Sequence, residues 1–301
     1  MPNDLGREED AHLRRLLALV PSLPDRRWAI RPLGGGMTNH NYRVDAGGES
    51  YALRIAGADT AALGIDRDQE VACLRAAAAG GVGPEVIAYL PEHEAILTRH
   101  LAGRTLGADD LRDPGILGRV AGAIRRGHDL PVPAGVTRFS VFATIRHNRE
   151  LAEEAGVAMP AELDRPAGVL DRLEAELGTG EPPCLCHNDL LPANLIDDGR
   201  RAWIIDWEYA GQGDRFFDLG CFAANGDLDE AQERTLAEVY FGEVRPADLR
   251  RIRLMRLASC LREATWGYLQ SAISQVHGPE FYLDYAEDHL GRFVAARGPL
   301  L

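Results

Sequence analysis

Residues 187–196 read HNDLLPANLI, and residues 197–211 continue as DDGRRAWIIDWEYAG. Asp189 and Asn194 flank Pro192. Both residue types bond nearby backbone in competition with regular structure, so the segment is expected to be a loop. Leu195-Ile196 and Trp203-Ile204-Ile205 are strand-like, and Asp198-Gly199 between them carries strong turn chemistry. Residues directly opposite in an antiparallel hairpin share a face. Asn194 and Asp206 are spaced evenly about residue 200, so they are expected to face one another at the open end of the hairpin, with Asp189 on the preceding loop.

Two oxygen ligands beside a third carboxylate suit a hard cation such as Mg²⁺, which keeps waters and substrate phosphates as its remaining ligands. The constellation points to phosphoryl transfer. A hairpin whose polar ends merely cap its turn would use any one of these residues, so the argument rests on the three together.

Composition narrows the classes. The 301 residues are 46% hydrophobic, enough to fill the core of one large or two ordinary domains. The polar, acidic start MPNDLGREEDAHLRR and the lack of an apolar run of about 18 residues argue against membrane insertion, and the expected location is cytoplasmic. A net charge of -13 repels nucleic acid and would attract a cationic small molecule. Cys73, Cys184, Cys186, Cys221 and Cys260 are odd in number and scattered, which suits a reducing compartment. In the strand-like run PPCLCH the thiols of Cys184 and Cys186 point away from His187, and no second ligand pair follows, so a zinc site is not expected. The chain has no lysine; all 33 basic residues are arginine. A Walker A loop and a pyridoxal Schiff base both need lysine, so both classes are excluded, and any phosphate clamp must use arginine.

Along the chain, a helix is expected over about 8–20, followed by alternating segments at 28–33, 40–45 and 50–55 separated by glycines, a three-stranded antiparallel meander. Asp66 with Gln69 resembles a capping box opening a helix to about residue 79, with Val71, Leu74 and Ala78 inward and Glu70 at the edge of that stripe. Residues 84–100 predict two more strands around a turn at Pro91 to His93. Helices are then expected around Leu117, Val120, Ala121 and Ile124, and near 140–155, 161–177, 227–241, 247–273 and 279–296. The expected class is α+β: a small antiparallel-sheet lobe with one main helix over 1–100, and a larger, mostly helical lobe over 101–301.

The stretch resembles the catalytic and metal-binding segments of the protein-kinase-like phosphotransferases, in the branch of choline and ethanolamine kinases and aminoglycoside phosphotransferases. The family pattern H-x-D with Asn five residues later stands as His187, Asp189 and Asn194; its metal-binding Asp is Asp206 in IIDWE, and GDRFFDLG with Asp218 also matches. The resemblance implies a bilobal kinase fold with ATP and Mg²⁺ in the cleft. Asp189 would orient the acceptor hydroxyl, Asn194 and Asp206 would hold the metal, and His187 would brace the loop. LGGGMTNHNYRV matches the phosphate-covering loop, which implies nucleotide contacts at Gly35, Gly36, Thr38 and Asn39. Arg54 in YALRIAG stands where many kinases carry lysine, with Glu70 as its ion-pair partner. Thr98 and His100, in the linker ILTRHLAG, are placed near adenine by position.

A quaternary ammonium donates no hydrogen bond and is bound by aromatic faces and carboxylates. The C-terminal run is similar to the choline kinase end and places Trp266 and Tyr285 in the acceptor pocket, with Glu208 and Tyr209 beside them; Glu263, Trp266, Gly267 and Gln270 fall on one helical face. Leu269 and Asn225 depart from the animal choline kinases, which carry a second tryptophan and a glutamate there. The resemblance implies a kinase for choline or a related amino alcohol, as monomer or homodimer. Ethanolamine, thiamine or an aminoglycoside as acceptor, and an inactive nucleotide-binding scaffold, are the alternatives.

Overall fold

The structure is a computed structural model that describes residues 5–24, 27–34, 39–57, 64–160, 163, 166–178, 182–274 and 276–298. The chain opens with α1 (Arg7–Ala18) and the strands β1 (Ala29–Pro32), β2 (Asn39–Ala46) and β3 (Glu49–Ala56). Helix α2 (Arg67–Ala79) follows, then β4 (Val86–Leu90) and β5 (Ala95–Arg99), joined by a 3₁₀ turn at Pro91–His93. These strands form one antiparallel five-stranded sheet in the order β1-β2-β3-β5-β4. Alternation explains its two faces. Tyr42, Val44, Tyr51, Leu53, Ala95 and Leu97 pack with Leu13 and Leu17 of α1 into a small core. Arg54 and Thr98 lie on the other face: Arg54 is opposite Ile96, and Thr98 is opposite Ala52.

Asp66 caps α2, accepting from the N–H groups of Asp68 and Gln69. The expected capping box is not closed. The Gln69 side chain instead donates to the Ala210 carbonyl at 2.9 Å and accepts from Thr137, tying α2 to the second half of the chain. The buried face also differs from the expected stripe: Cys73 and Ala77 are inside with Val71 and Leu74, whereas Ala78 is only half-buried. That rotation takes Glu70 from the edge to full burial.

Beyond the short strand β6 (Arg104–Thr105) come α3 (Pro114–His128), α4 (Val141–Glu154) and α5 (Pro166–Leu177). Of the expected helix over 161–177, residues 161, 162, 164 and 165 lie outside the described residues. Strands β7 (Cys184–Cys186), β8 (Leu195–Asp197), β9 (Ala202–Ile204) and β10 (Gly211–Gly213) frame the loop at residue 187. Helices α6 (Arg215–Asn225), α7 (Glu230–Phe241), α8 (Pro246–Ile273) and α9 (Pro279–Arg297) complete the fold. Helix α6 was not expected. Phe216 to Ala224 are all buried, Asp218 among them. The larger core joins these helices to Val71, Leu74 and Ala77 of α2.

Two glycines let α8 approach its neighbours. A Cβ on Gly220 would lie 2.6 Å from the backbone of Met255 and Arg256, and one on Gly267 would lie 2.9 Å from Ala286 Cβ and the Tyr282 carbonyl. Close α8–α9 packing at Gly267 brings Trp266 into edge contact with Tyr282 and Tyr285, at ring-centroid separations of 5.8 and 5.7 Å.

Candidate active site

The loop at 187–194 is held from beneath. Asp218, on α6, accepts the backbone N–H groups of His187 and Asn188, both at 2.7 Å, and lies 2.9 Å from Nε2 of His128. Asn188 adopts a left-handed φ of 62°, uncommon for a residue with a side chain. Its Nδ2 donates to the Tyr209 carbonyl. His187 is buried, with Nε2 at 2.9 Å from the Ile205 carbonyl and its ring edge-on to Trp207. Its Nδ1 accepts the Asp189 N–H at 3.2 Å, so the imidazole ties the loop to Ile205.

Asp189 emerges from this support with its side chain 13% exposed. Oδ1 accepts from Arg262 Nη1 at 2.6 Å, and Oδ2 is 3.3 Å from Asn194 Nδ2, which also donates to the Asp189 carbonyl at 2.9 Å. Both carboxylate oxygens are therefore positioned. Burial pushes the Asp189 carboxyl up, and Arg262 opposes that shift. Asn194 uses its amide nitrogen here, which leaves its carboxamide oxygen as a hard donor.

The hairpin register is one residue off the expected one. Leu195 pairs with Ile204 and Asp197 with Ala202, and the Ile205 N–H bonds the Asn194 carbonyl, so Ile205 rather than Asp206 lies opposite Asn194. The cause is the turn. Asp198 starts it, accepting from the N–H groups of Arg200 and Arg201, and Gly199 and Arg200 are its central residues. A one-residue slip would reverse the facing in a regular strand, but Asp206 leaves the strand with a left-handed φ of 64°. Its carboxylate meets Arg54.

Around that contact lies a charged cluster. Arg54 also pairs with Glu70, as expected, and approaches Glu208 at 3.8 Å. Arg67, which sequence reasoning passed over, reaches Glu70 at 2.7 Å, Glu208 at 3.0 Å and Asn39 Oδ1 at 3.1 Å. Asn39 Nδ2 donates to Glu208 at 2.8 Å. Two guanidinium groups face three carboxylates, so one negative charge is in excess. Burial, with Glu208 and Asp189 nearby, pushes Asp206 up to about 7, although 29% of its side chain is exposed at the cleft. Glu208 moves down because Arg54, Arg67 and Asn39 together outweigh its burial.

Thr98 donates to the Ala52 carbonyl, and His100 lines a groove with Arg43, Ser50 and Arg99. Burial and Arg43 hold His100 below its usual range. Gly35, Gly36 and Thr38 lie outside the described residues.

Beside Arg262 lies a group of aromatic rings. Arg262 lies 4.7 Å over the Tyr209 ring and bonds Glu263 at 2.7 Å; Tyr285 donates to the second Glu263 oxygen at 2.8 Å and contacts Trp266 edge-on. The structure thus brings Tyr209, Trp266 and Tyr285 together with Glu263, whereas Glu208 stands with Asn39 and Arg67. Leu269 is buried in the core, and Asn225 bonds the Cys221 carbonyl of its own helix. Glu263 supplies a carboxylate beside Tyr285.

Beneath the loop, the thiols of Cys184 and Cys186 are 3.5 Å apart and share one side of β7, with His128 rather than His187 within 4.8 Å. Both His128 ring nitrogens already face partners, Tyr240 and Asp218.

The chain as a whole is similar to known proteins. Residues 29–255 match the phosphotransferase enzyme family. Protein LicA of Haemophilus influenzae is 28% identical over 261 residues, which cover 84% of this chain and 75% of LicA. The crystal structure of a choline/ethanolamine kinase family protein from Mesorhizobium loti is 30% identical, covers 96% of this chain and 95% of that one, and superposes with a TM-score of 0.82. A structure of LicA in complex with AMP, at 18% identity, shares the fold with a TM-score of 0.73, covering 97% of this chain and 100% of that one. The five-stranded sheet set against a helical second half is accordingly a protein-kinase-like fold, and this chain belongs to the phosphotransferase enzyme family.

Proposed function

We propose that this protein transfers the γ-phosphoryl group of ATP to the hydroxyl of choline or a related amino alcohol. The carrying observation is the position of Asp189, held at both oxygens between the Arg54–Asp206 cluster on one side and the Tyr209–Trp266–Tyr285 pocket on the other. The nucleotide would lie on the Arg54 side, with Thr98 and His100 toward the base and Asn39 toward the phosphates; the resemblance adds Gly35, Gly36 and Thr38 as phosphate contacts. Asn194 and Asp206 fit Mg²⁺: both offer hard oxygens, and the surrounding cluster carries an uncompensated negative charge. Mg²⁺ bound there would neutralise phosphate charge. Arg54, anchored by Glu70, would contribute a guanidinium to the phosphates. Asp189 accepts the hydrogen bond of the acceptor hydroxyl and orients it for in-line attack.

The relatives named for choline and ethanolamine support the acceptor class, and so does the charge around Arg262. Asp189 and Glu263 face a single Arg262, leaving one negative charge among three aromatic rings. That suits a monocation. A more hydroxylated acceptor, such as an aminoglycoside, is favoured by one observation: the Gln270 Nε2 donor is buried without a hydrogen-bond partner among the described residues, and donors bind hydroxyl or carbonyl oxygens rather than ammonium. A coupled ADP-release assay with choline, ethanolamine, thiamine and aminoglycosides separates these readings. Choline is expected to give turnover well above water hydrolysis. Background rates with choline, alongside turnover on another acceptor, would remove the choline assignment.

A further inference from the structure

Arg262 is a 2%-exposed arginine on α8, 73 residues from the loop it touches. One nitrogen, Nη1, bonds Asp189 Oδ1 at 2.6 Å and Glu263 Oε1 at 2.7 Å, while the guanidinium carbon rests 4.7 Å over the Tyr209 ring. Its neighbours fix it in turn: Tyr209 is tied through its carbonyl to Asn188, and Glu263 through its other oxygen to Tyr285.

We propose that Arg262 is a positioning residue for phosphoryl transfer, aiming Asp189 at the acceptor hydroxyl by holding Oδ1 while Asn194 restrains Oδ2. The inference rests on the reading of the cleft as a phosphotransferase site. Two carboxylates drawn to one nitrogen repel each other strongly in a buried pocket once that nitrogen is removed. Glu263 would stay anchored by Tyr285. Asp189 would keep only the 3.3 Å contact to Asn194, so it is the group that would turn away. The arginine also explains how an acid can face an anionic phosphate without being driven off by Glu263. A lysine could supply the charge and bond both acids, but not the planar guanidinium that stacks on Tyr209.

The test uses the full-length chain and compares wild type, Arg262→Lys, Arg262→Gln and the double variant Arg262→Gln/Glu263→Gln. Saturating kcat with choline, ADP affinity by calorimetry and melting temperature are read for each. Arg262→Gln should lose about 100-fold or more in kcat, the scale of an ångström-sized misplacement, while ADP affinity changes less than about 3-fold, an allowance of about 0.6 kcal/mol. Arg262→Lys should recover part of the loss. The double variant removes the unpaired acid, should melt near wild type, and should remain slow. A folded double variant with wild-type kcat, or a loss in Arg262→Gln shared equally by kcat and ADP affinity, would overturn the inference. Wild type inert on every acceptor would instead overturn the phosphotransferase reading beneath it, so the two failures are distinct.

Discussion

Asp218 Oδ1 accepts the backbone N–H of Asn188 at 2.7 Å, joining α6 to a residue whose left-handed φ of 62° turns the chain into the cleft. The same carboxylate takes the His187 N–H and meets His128, so one 1%-exposed acid fixes the start of the loop. Asp218→Asn replaces an acceptor by a donor facing backbone donors. It should cost about 3 kcal/mol of stability, the scale of breaking a buried charged network, seen as a lowered denaturant midpoint with unchanged slope. A midpoint equal to wild type would show that the loop holds itself.

Arg67 joins Glu70, Glu208 and Asn39 while its side chain is only 7% exposed. Arg67→Gln leaves Arg54 alone against three carboxylates. Nucleotide affinity should fall about 10-fold or more, and stability by about 3 kcal/mol. Calorimetry with ADP and Mg²⁺ checks the first, and denaturant melts check the second. Undiminished affinity would confine Arg67 to the scaffold.

Gly267→Val should separate α8 from α9, because even a Cβ would lie 2.9 Å from Ala286 Cβ and the Tyr282 carbonyl. Overpacking of this kind costs about 1–3 kcal/mol. Since Trp266 and Tyr285 flank the contact, KM for the acceptor should rise more than KM for ATP. Equal changes in both would detach the aromatic pocket from acceptor binding.

Asp198 is held down at about 2, first by the Trp203 indole N–H and then by the Arg201 and Arg200 backbone N–H groups. A carboxyl depressed in the folded state stabilises it above the ordinary value near 3.8, and this contribution fades as pH falls toward 2. Asp198→Asn should therefore lower the melting temperature at pH 5 and narrow the gap to wild type as pH approaches 2. A gap independent of pH would remove the carboxylate from the turn's energetics.

Much of this site was legible because its signals are local. Alternation marked β1, β2 and β3, and the spacing of His187, Asp189, Asn194 and Asp206 marked the loop and hairpin ends. Arg67 and Arg262 carried no such signal. Their partners Glu208 and Asp189 lie 141 and 73 residues away, and a long charged side chain on a helix ordinarily reaches solvent. The hairpin slipped by one residue because Asp198-Gly199 marks a turn without stating which pair is central; the structure centres it on Gly199-Arg200. Glu208 was expected beside the acceptor, but its neighbour Tyr209 faces Arg262 while Glu208 itself bonds Asn39 and Arg67. Adjacent residues outside regular structure can serve opposite sides of a cleft.

The most direct measurement compares Asp189→Ala with wild type for phosphoryl transfer to choline, alongside ADP binding. Asp189 is held by Arg262 and Asn194, and in the proposed reaction a group orienting the attacking hydroxyl contributes about 10²–10⁴-fold. The account expects turnover to fall by at least that lower bound while ADP affinity stays within about 3-fold, near 0.6 kcal/mol. Turnover of Asp189→Ala equal to wild type would contradict it.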